Sequence, residues 1–292
     1  MIRVIYFFAL VFCCYAVSSC SENSTNTEIE TPDETAVSDI TAMSFNVRYS
    51  GGDTDEHKWD NRKGACLAMI NALKPSVIGM QEVRPDQKKI FDDNLKDYII
   101  VGVGRDGTSN TEYVSIGFRT DILTLKSKGT FWLSETPDLM SKGWDGAAFR
   151  ICTWARLQVK GTKKEIYFFN THIDHKGTDA RKQGLLLIKE RIKEIAGDEN
   201  LVILTGDFNM TPDNANIIDF TTFMNSLREQ FVTGSDYNAP TYNNWGMNAA
   251  IIDYIWYVNT TPTAYKVLNE AYKGVTYLSD HSPILGKFEL PQ

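Results

Sequence analysis

Short, mostly apolar runs recur along this chain, and four of them stop at a group of polar residues. Runs of this kind, bounded by polar segments, are typical of β-strands buried inside a sheet. The runs are residues 40–45 before Asn46, 77–80 before Gln81 and Glu82, 166–169 before 170–174, and 201–204 before 205–209. Because strands that end at one rim bring their last side chains together, the sequence predicts a many-stranded protein with a polar site at a sheet edge.

Two further segments add polar groups to this set. Asp253 lies among isoleucine, tyrosine and tryptophan, and Asp280 and His281 follow one another near the C-terminus. The chain has only four histidines, and two others, His172 and His175, lie in the cluster after residue 169. Carboxylates, amides and imidazoles together suit a hard divalent cation beside a phosphate ester. This combination is the main sequence evidence for function.

The periodicity of apolar residues predicts many strands and few helices, which favours one domain of two packed sheets flanked by helices. Strands are predicted over residues 40–48, 77–80, 98–103, 113–118, 123–132, 151–159, 165–169, 201–204, 251–258, 264–268 and 284–290. Helices are predicted over residues 61–73, 86–95, 179–195 and near 213–220. The third helix has the clearest apolar stripe, and Gly197 follows its end.

The N-terminus has the pattern of a processing signal. A short positive start with Arg3 precedes an apolar stretch over residues 4–17, which is too short to span a bilayer as a mature helix. Residues 17–20 resemble a bacterial lipobox, so we expect a signal peptide over residues 1–19 and lipid on Cys20. Residues 20–38 are polar and predict a flexible tether to a domain over residues 39–292. The alternatives are an ordinary signal peptide or an uncleaved anchor.

Lipid on Cys20 would place the protein in the cell envelope, anchored at the outer membrane on its periplasmic or surface face.

The formal net charge is −7, so the chain lacks the excess of basic residues expected of a protein that holds nucleic acid through many phosphates. Nucleic acid is therefore a possible but not a favoured partner, and we expect a monomer. Cys66 and Cys152 are the cysteines of the predicted domain, and the sequence allows either a disulfide or two buried thiols.

The polar residues at the first two strand ends have more than one interpretation. An amide at Asn46 can orient a metal-bound water or a phosphate, but it can equally cap a turn. A carboxylate at Glu82 suits Mg²⁺, which prefers hard oxygen ligands and keeps several waters. The alternative for Glu82 is a solvated acid at the start of the helix that follows Pro85.

The next two clusters suggest groups for catalysis. His172 and Asp174 are two residues apart, so on an extended strand they would share a face. An imidazole at His172 can stabilise charge that develops on a phosphate. Asp207 can orient or deprotonate an attacking water while Asn209 binds a phosphate oxygen. A structural turn closed by the Asp207 side chain is the alternative.

The C-terminal clusters suggest an acid paired with an imidazole. A carboxylate inside an apolar strand needs a partner, and His281 would suit Asp253, because an acid raises the basicity of the ring. The alternative partner is a structural arginine such as Arg156. Asp280 can complete the metal ligands with Glu82, unless Asp280 and His281 are ordinary loop residues.

Four residues are candidates for substrate binding. Arg105 follows a glycine-rich turn that lacks the helix of a dinucleotide site, and it can contact phosphate. Arg150 can do the same, or it can pair with a buried acid. Trp144 can line a substrate cleft with Trp132, and Asp174 completes this set.

Six motifs together resemble the endonuclease/exonuclease/phosphatase superfamily, which includes deoxyribonuclease I. They are Ser-Phe-Asn46, Gln-Glu82, Asn-Thr-His172-Ile-Asp174, Gly-Asp207-Phe-Asn209, Ile-Asp253-Tyr-Ile and Ser-Asp280-His281. They occur in the family's order from about residue 40 to 288. The segments around residues 129–145 and 150–154 look like a secreted bacterial branch of that superfamily.

The resemblance implies an α/β four-layer sandwich with two packed mixed sheets between outer helices. It also implies Mg²⁺ or Mn²⁺ held mainly by Glu82, with Asn46 and Asp280 nearby. The remaining catalytic residues would be His172, Asp207, Asn209, Asp253 and His281.

The activity implied is hydrolysis of a phosphoester as substrate, either as a phosphodiesterase or as a phosphatase. A nuclease, a phospholipase-like or sphingomyelinase-like enzyme, and a sugar-phosphate phosphatase are alternatives within the same chemistry. A non-catalytic lipoprotein that binds a glycan through Trp132, Trp144 and Trp245 is the alternative outside it. A serine hydrolase is disfavoured, because the Gly-x-Ser-x-Gly motif is missing from the sequence.

Overall fold

The computed structural model of the protein describes residues 37–108 and 110–290. In that part of the chain, twelve strands form two six-stranded sheets. In chain order the strands are β1 (Asp39–Asn46), β2 (Val77–Val83), β3 (Tyr98–Val101), β4 (Tyr113–Arg119), β5 (Leu123–Trp132), β6 (Ile151–Val159), β7 (Glu165–His172), β8 (Leu201–Asp207), β9 (Asn225–Ser226), β10 (Asp253–Val258), β11 (Thr261–Val267) and β12 (Ile284–Glu289).

Both sheets are mixed. The first has the order β11-β12-β1-β2-β4-β3, and only its β1–β2 pair is parallel. The second has the order β5-β6-β7-β8-β10-β9, and only its β7–β8 pair is parallel. Each sheet therefore contains one parallel pair at its centre. Strands β1, β7 and β8 end at polar residues, and β2 carries Gln81 and Glu82 just before its end.

The two sheets pack face to face through a shared apolar core. Ile40, Ile116 and Phe288 of the first sheet lie in one buried cluster with Phe168 and Ile203 of the second. These side chains are almost fully buried. Burial of apolar surface is the main favourable contribution to folding, so this layer holds the two sheets together.

Helices cover the outer faces of both sheets. They are α1 (Trp59–Leu73) and α2 (Pro85–Asn94) on the first sheet, and α3 (Thr178–Ala196) and α4 (Ala215–Phe220) on the second. Met69 of α1 lies in one buried cluster with Met43 of β1, and Ile188 of α3 lies in another with Phe169 of β7. The four layers confirm the predicted α/β sandwich, with two packed mixed sheets between helices.

The predicted elements agree with the observed ones except in a few places. Strands β7 and β8 are longer than predicted, because they include the polar residues up to His172 and Asp207. Strand β10 begins at Asp253, so this acid opens the strand rather than lying inside it. The two-residue strand β9 was not predicted, because so short a segment has no periodicity.

The two cysteines of the domain are free and buried. Cys66 lies in the layer between α1 and the first sheet, and Cys152 lies under the helices of the second sheet. The thiols therefore belong to different layers, and the disulfide alternative is wrong.

The predicted signal segment, Cys20 and nearly all of the predicted tether lie outside the described residues. Among the residues that are described, no helix is long and apolar enough to cross a membrane.

Candidate active site

Strand register places three of the predicted residues in one row. Asp207 is the last residue of β8, and it stands opposite His172 on the parallel strand β7. On its other side it stands opposite Asp253, the first residue of the antiparallel strand β10. Neighbouring strands lie about 4.8 Å apart. One imidazole and two carboxylates therefore meet at the edge of the second sheet.

The first sheet contributes Asn46 and Glu82 to the same place. Asn46 ends β1 and stands opposite Gln81 on the parallel strand β2. Glu82 has a φ of 61°, and the register between β2 and β4 shifts between Met80 and Val83. A residue inserted in this way is a β-bulge, which re-aims a side chain and is common beside functional sites. The bulge turns Glu82 toward Asn46, where Asn46 Nδ2 donates to Glu82 Oε1 at 3.2 Å.

One oxygen, Asp207 Oδ2, is the centre of the cluster. It accepts a hydrogen bond from Asn46 Nδ2 at 3.0 Å. It also lies 3.4 Å from His172 Nε2 and 3.7 Å from His281 Nε2. All four side chains are nearly fully buried. Residues that are far apart in the sequence thus surround a single carboxylate. We call the set of Asn46, Glu82, His172, Asp207, Asp253 and His281 the polar cluster.

His281 pairs with Asp253, as the sequence predicts. Their Nδ1 and Oδ2 atoms are 2.8 Å apart in a buried site. Burial opposes a charged imidazole, but the Asp253 carboxylate outweighs it and raises the pKa of His281 to about 10. His281 is therefore protonated at neutral pH. Arg156, the alternative partner of Asp253, pairs instead with Glu165 at 2.7 Å.

The pKa values of Asp207 and His172 are shifted in opposite directions, and both shifts favour the neutral side chain. Burial raises the pKa of Asp207 to about 7, with a further contribution from the charge of Asp253 and opposition from His281. Burial also lowers the pKa of His172 well below its ordinary value, and the positive charges of Arg150 and Arg105 lower it further. His172 is therefore neutral near pH 7, whereas Asp207 is close to its midpoint there.

Asn46 and Asp207 each use one side-chain atom for a turn and another for the cluster. Asn46 Oδ1 accepts from Arg48 N–H at 3.0 Å, and Asp207 Oδ1 accepts from Asn209 N–H at 3.0 Å. Both are turns closed by the side chain of the first residue. Asn46 and Asp207 therefore close turns, as the structural alternatives predict, and at the same time belong to the polar cluster. In this orientation Asn46 presents its amide hydrogens, rather than its oxygen, to Glu82 and Asp207.

The donor set suits a divalent cation. Ligand oxygens or nitrogens of Glu82, His172 and Asp207 all lie within 4.8 Å of one another. Asp280 is buried nearby, and burial raises its pKa, as does the charge of Glu82, although His281 and Arg48 oppose the rise. Carboxylates that disfavour each other's charge in this way are stabilised by a hard cation. The family expectation of Mg²⁺ or Mn²⁺ therefore fits these residues.

Arg150 and Arg105 lie next to His172. Both line a small hollow that also includes Glu82 and His172. Arg150 is buried; its Nη2 lies 3.1 Å from His175 Nδ1, while its Nε and Nη1 have no hydrogen-bond partner in the described residues. Its Nε lies 3.7 Å from the Asp174 carboxylate, so the buried-acid alternative is present in the structure. Substrate contact by either arginine stays a prediction.

Asp174 differs from the arrangement expected on an extended strand. Strand β7 ends at His172, so the alternation of faces does not continue to Asp174. Its carboxylate accepts from four backbone N–H groups, those of Ala147, Ala148, Lys176 and Gly177 at 2.8–3.1 Å. Burial opposes ionisation of Asp174, but these bonds outweigh it and lower its pKa to about 2. The carboxylate anchors two loops beside the site.

The two remaining predicted residues lie at different distances from the cluster. Asn209 follows Asp207 directly, with a φ of 51°, and its Nδ2 donates to Ile173 O at 3.0 Å. Trp144 lies in the loop between β5 and β6, where its backbone N–H donates to Glu135. No contact among the described residues joins Trp144 to the polar cluster.

Sequence reasoning missed Arg48, which completes the charge balance at the mouth of the site. Its Nη1 lies 3.5 Å from Asp280 Oδ2, and its Nε is 3.0 Å from Asp53 Oδ2. The position of Arg48, two residues after Asn46, was the available signal. A local pattern does not show that residue 48 faces residue 280.

A buried polar network behind the cluster was also missed. Asn170 Nδ2 donates to the carbonyls of Met80 and Ser115, at 2.9 and 2.8 Å. Its Oδ1 accepts from Gln81 Nε2 at 2.7 Å and from Thr205 Oγ1 at 3.0 Å. The side chain therefore joins the two sheets just below the site. Asn170 and Gln81 stand beside predicted catalytic residues in the sequence, which was the only clue.

Comparison with known proteins agrees with this geometry. Residues 43–281 match the Endonuclease/Exonuclease/phosphatase family. A solved endonuclease/exonuclease/phosphatase from Bacteroides vulgatus superposes with a TM-score of 0.80 at 32% identity, covering 87% of this chain and 100% of that chain. The mannosyl-6-phosphatase of Bacteroides thetaiotaomicron gives a TM-score of 0.77 at 31% identity, covering 85% of this chain and 99% of that chain.

A more distant solved structure and a sequence relative give weaker evidence about this chain. The human Nocturnin catalytic domain has a TM-score of 0.68 at 20% identity, covering 87% of this chain and 95% of that chain, which shows a shared fold alone. An uncharacterized protein of Acanthamoeba polyphaga mimivirus is 29% identical over 178 residues, which are 57% of this chain and 66% of that protein. The match therefore spans just under two thirds of that relative's length.

Proposed function

This chain belongs to the Endonuclease/Exonuclease/phosphatase family, whose members hydrolyse phosphoesters, and we propose that it is a divalent-metal-dependent phosphoester hydrolase. One observation carries the proposal: Asp207 Oδ2 lies among Asn46 Nδ2, His172 Nε2 and His281 Nε2 at 3.0–3.7 Å. This arrangement combines a carboxylate that titrates near neutral pH with neutral and charged donors in a water-poor site.

In the proposed reaction Asp207 positions the attacking water and accepts its proton. A general base works best when its pKa lies near the working pH, and the pKa of Asp207 is about 7. Asn209 N–H donates to Oδ1 of the same carboxylate at 3.0 Å, and Asn46 Nδ2 donates to Oδ2 at 3.0 Å, so the orientation of the carboxylate is defined. Orientation of the water in line with the scissile bond would supply much of the rate gain.

The phosphate would be held by donors around Asp207. His281 is kept protonated by Asp253 and can donate its Nε2 proton to a phosphoryl oxygen. His172 is neutral and can act only as a hydrogen-bond donor or acceptor. Asn209 uses one amide hydrogen for Ile173 O and retains a second one. Fixed donors of this kind stabilise charge as it develops on the phosphate.

The residues that would hold the cation are Glu82, with Asn46 and Asp280 nearby. When bound there, Mg²⁺ or Mn²⁺ would polarise a phosphoryl oxygen and offset the charge of the leaving group. Asn46 would have to rotate its amide to bind the cation directly, because its oxygen now accepts from Arg48 N–H.

A small phosphoester, in particular a sugar phosphate, is the substrate class that we favour. The net charge of −7 disfavours a long polyanion. The mannosyl-6-phosphatase neighbour, at 31% identity over nearly its whole chain, supports a phosphomonoester of a sugar.

The experiment measures hydrolysis of mannose 6-phosphate, p-nitrophenyl phosphate, bis-p-nitrophenyl phosphate and plasmid DNA, each with Mg²⁺, Mn²⁺ or EDTA. We expect metal-dependent turnover that Asp207→Asn lowers by at least about a hundredfold. Asp198→Asn is the matched control, because Asp198 is exposed. Turnover that resists EDTA, or an Asp207→Asn enzyme with wild-type activity, would contradict the proposal. Metal-independent binding of a glycan without turnover would favour the binding-lipoprotein alternative.

We further propose that Cys20 carries lipid and anchors the enzyme in the cell envelope. The support is the sequence pattern of residues 1–20 alone. Full-length protein should partition into the membrane fraction, and Cys20→Ala should release it or leave its precursor unprocessed. Incorporation of a fatty-acid label into wild type but not into Cys20→Ala is the direct readout.

A further inference from the structure

A cleft of about 380 Å³ opens beside the polar cluster, and His281 lines it. Its other walls come from residues between 240 and 249, residues between 268 and 278, and residues 282–283 just before β12. No aspartate, glutamate, lysine or arginine is among the described residues that line it. A cavity of this size is within the range of small-molecule sites. The cleft is therefore uncharged except at His281.

Several exposed polar side chains in the cleft are free to bind a ligand, because they make no hydrogen bond within the part of the chain that the structure describes. The side chains of Asn269, Thr276 and Tyr277 line the cleft and make no hydrogen bond to any described residue. They offer an amide and two hydroxyls, each of which can both donate and accept. Tyr277 also presents an aromatic ring, which packs well against an apolar ring face. This is a set of groups for a neutral ligand with many hydroxyls.

Backbone in the left-handed region lies beside Tyr277, and its last residue, Gly246, lines the cleft. Asn244, Trp245 and Gly246 have consecutive φ values of 44°, 57° and 84°. A Cβ at Gly246 would lie 2.2 Å from Tyr277 Oη, so only glycine allows the tyrosine to lie there. Trp245 is fixed by stacking on His57, with ring centroids 4.1 Å apart. Strain of this kind costs free energy and persists mainly where function requires it.

We propose that this cleft receives the part of the substrate that is esterified to the phosphate, and that this part is an uncharged, hydroxyl-rich group such as a sugar ring. The inference rests on the proposed phosphoester hydrolysis, since it assigns a second half to the same site. His281 is the residue shared by the two halves: its ring faces Asp207 in the polar cluster, and it also lines the cleft. A group held in the cleft would therefore lie beside a phosphate bound at the polar cluster.

The test compares two substrates on three variants of the purified full-length protein. Tyr277→Phe removes one hydroxyl and Asn269→Ala removes one amide. Asn225→Ala is the control, because Asn225 is exposed on β9 and is not among the residues that line the cleft. Mannose 6-phosphate carries ring hydroxyls, whereas p-nitrophenyl phosphate has none. Melting curves verify that each variant folds.

We expect Tyr277→Phe and Asn269→Ala each to lower kcat/KM for mannose 6-phosphate by about three- to tenfold, mainly through KM, as for the loss of one hydrogen bond. Turnover of p-nitrophenyl phosphate should stay within about twofold of wild type, and Asn225→Ala should change neither. Equal losses on both substrates, or no loss on either, overturn the subsite. So does a wild-type enzyme that cleaves p-nitrophenyl phosphate but neither mannose nor glucose 6-phosphate. A wild type without metal-dependent turnover of any phosphoester overturns the proposed function itself.

Discussion

The side chains of Asn46 and Asp207 meet across the two sheets, with Nδ2 of Asn46 donating to Oδ2 of Asp207 at 3.0 Å. The residues are 161 positions apart, and each ends a central strand of its own sheet. Each also closes a turn with its second side-chain atom. The contact therefore joins the sheet that carries Glu82 to the sheet that carries the row of His172, Asp207 and Asp253.

Binding of a divalent cation should stabilise the fold through Glu82. A ligand present at a hundredfold excess over its Kd adds about 2.7 kcal/mol, which raises the Tm of a domain of this size by roughly 5–10 °C. Mg²⁺ or Mn²⁺ should produce such a shift in wild type, and Glu82→Gln should reduce it strongly, because an amide is a weaker ligand than a carboxylate. Thermal melting with and without EDTA measures the effect.

Glu199→Gln is the matched control for this experiment, since Glu199 is exposed before β8. It should retain the full metal-dependent shift. An equal shift in wild type and Glu82→Gln would assign the cation to other residues.

Asp253→Asn should lower activity by about a hundredfold at pH 8 and by less at pH 6. The Asp253 carboxylate is what raises the pKa of His281 to about 10, against the effect of burial. Without it the pKa of His281 falls, so the protonated imidazole is lost at alkaline pH first and persists longer at acidic pH. The ratio of variant to wild-type kcat, measured from pH 5.5 to 9, should therefore fall as pH rises, and the lower pKa of Asp207 that follows from loss of the Asp253 charge acts in the same direction. A ratio that is flat across this range would argue for a merely structural role of Asp253.

The sequence predicted the sheets well because their signal is local. The apolar runs before Asn46 and before residues 205–209 show in their own composition that they are buried strands. The pairing of Asp253 with His281 was also predictable, since a buried carboxylate needs a partner. The bulge at Glu82 and the contact between Arg48 and Asp280 were not predictable, because both depend on register and on loops that meet only in three dimensions.

Asn170→Ala should destabilise the protein by about 3 to 5 kcal/mol. The fully buried amide satisfies the Met80 and Ser115 carbonyls and accepts from Gln81 and Thr205, so its removal leaves several buried polar groups unpaired. The neighbouring Gly79 cannot be replaced by a residue whose side chain fills the space left by Asn170, because a Cβ at Gly79 would lie 2.0 Å from Thr205 Oγ1. Urea denaturation measures the loss, and exposed Asn225→Ala should stay within about 0.5 kcal/mol of wild type. A similarly small effect of Asn170→Ala would show that water replaces the network.

Asp174 should make the stability of the fold depend on pH in the acidic range. Its pKa is about 2 in the folded protein and about 3.9 in an unfolded chain. A depressed carboxyl pKa contributes stability above the unfolded value, and that stability is lost as pH falls from about 4 through 2. The difference corresponds to about 2.6 kcal/mol at pH 7. Asp174→Asn should therefore lower the free energy of unfolding at pH 7 by a comparable amount and flatten its decline between pH 5 and 3, as measured by urea denaturation at each pH. The control Asp198→Asn should leave the free energy of unfolding and its dependence on pH unchanged. An Asp174→Asn protein with the wild-type pH dependence would show that the four backbone N–H groups do not favour the ionised carboxylate.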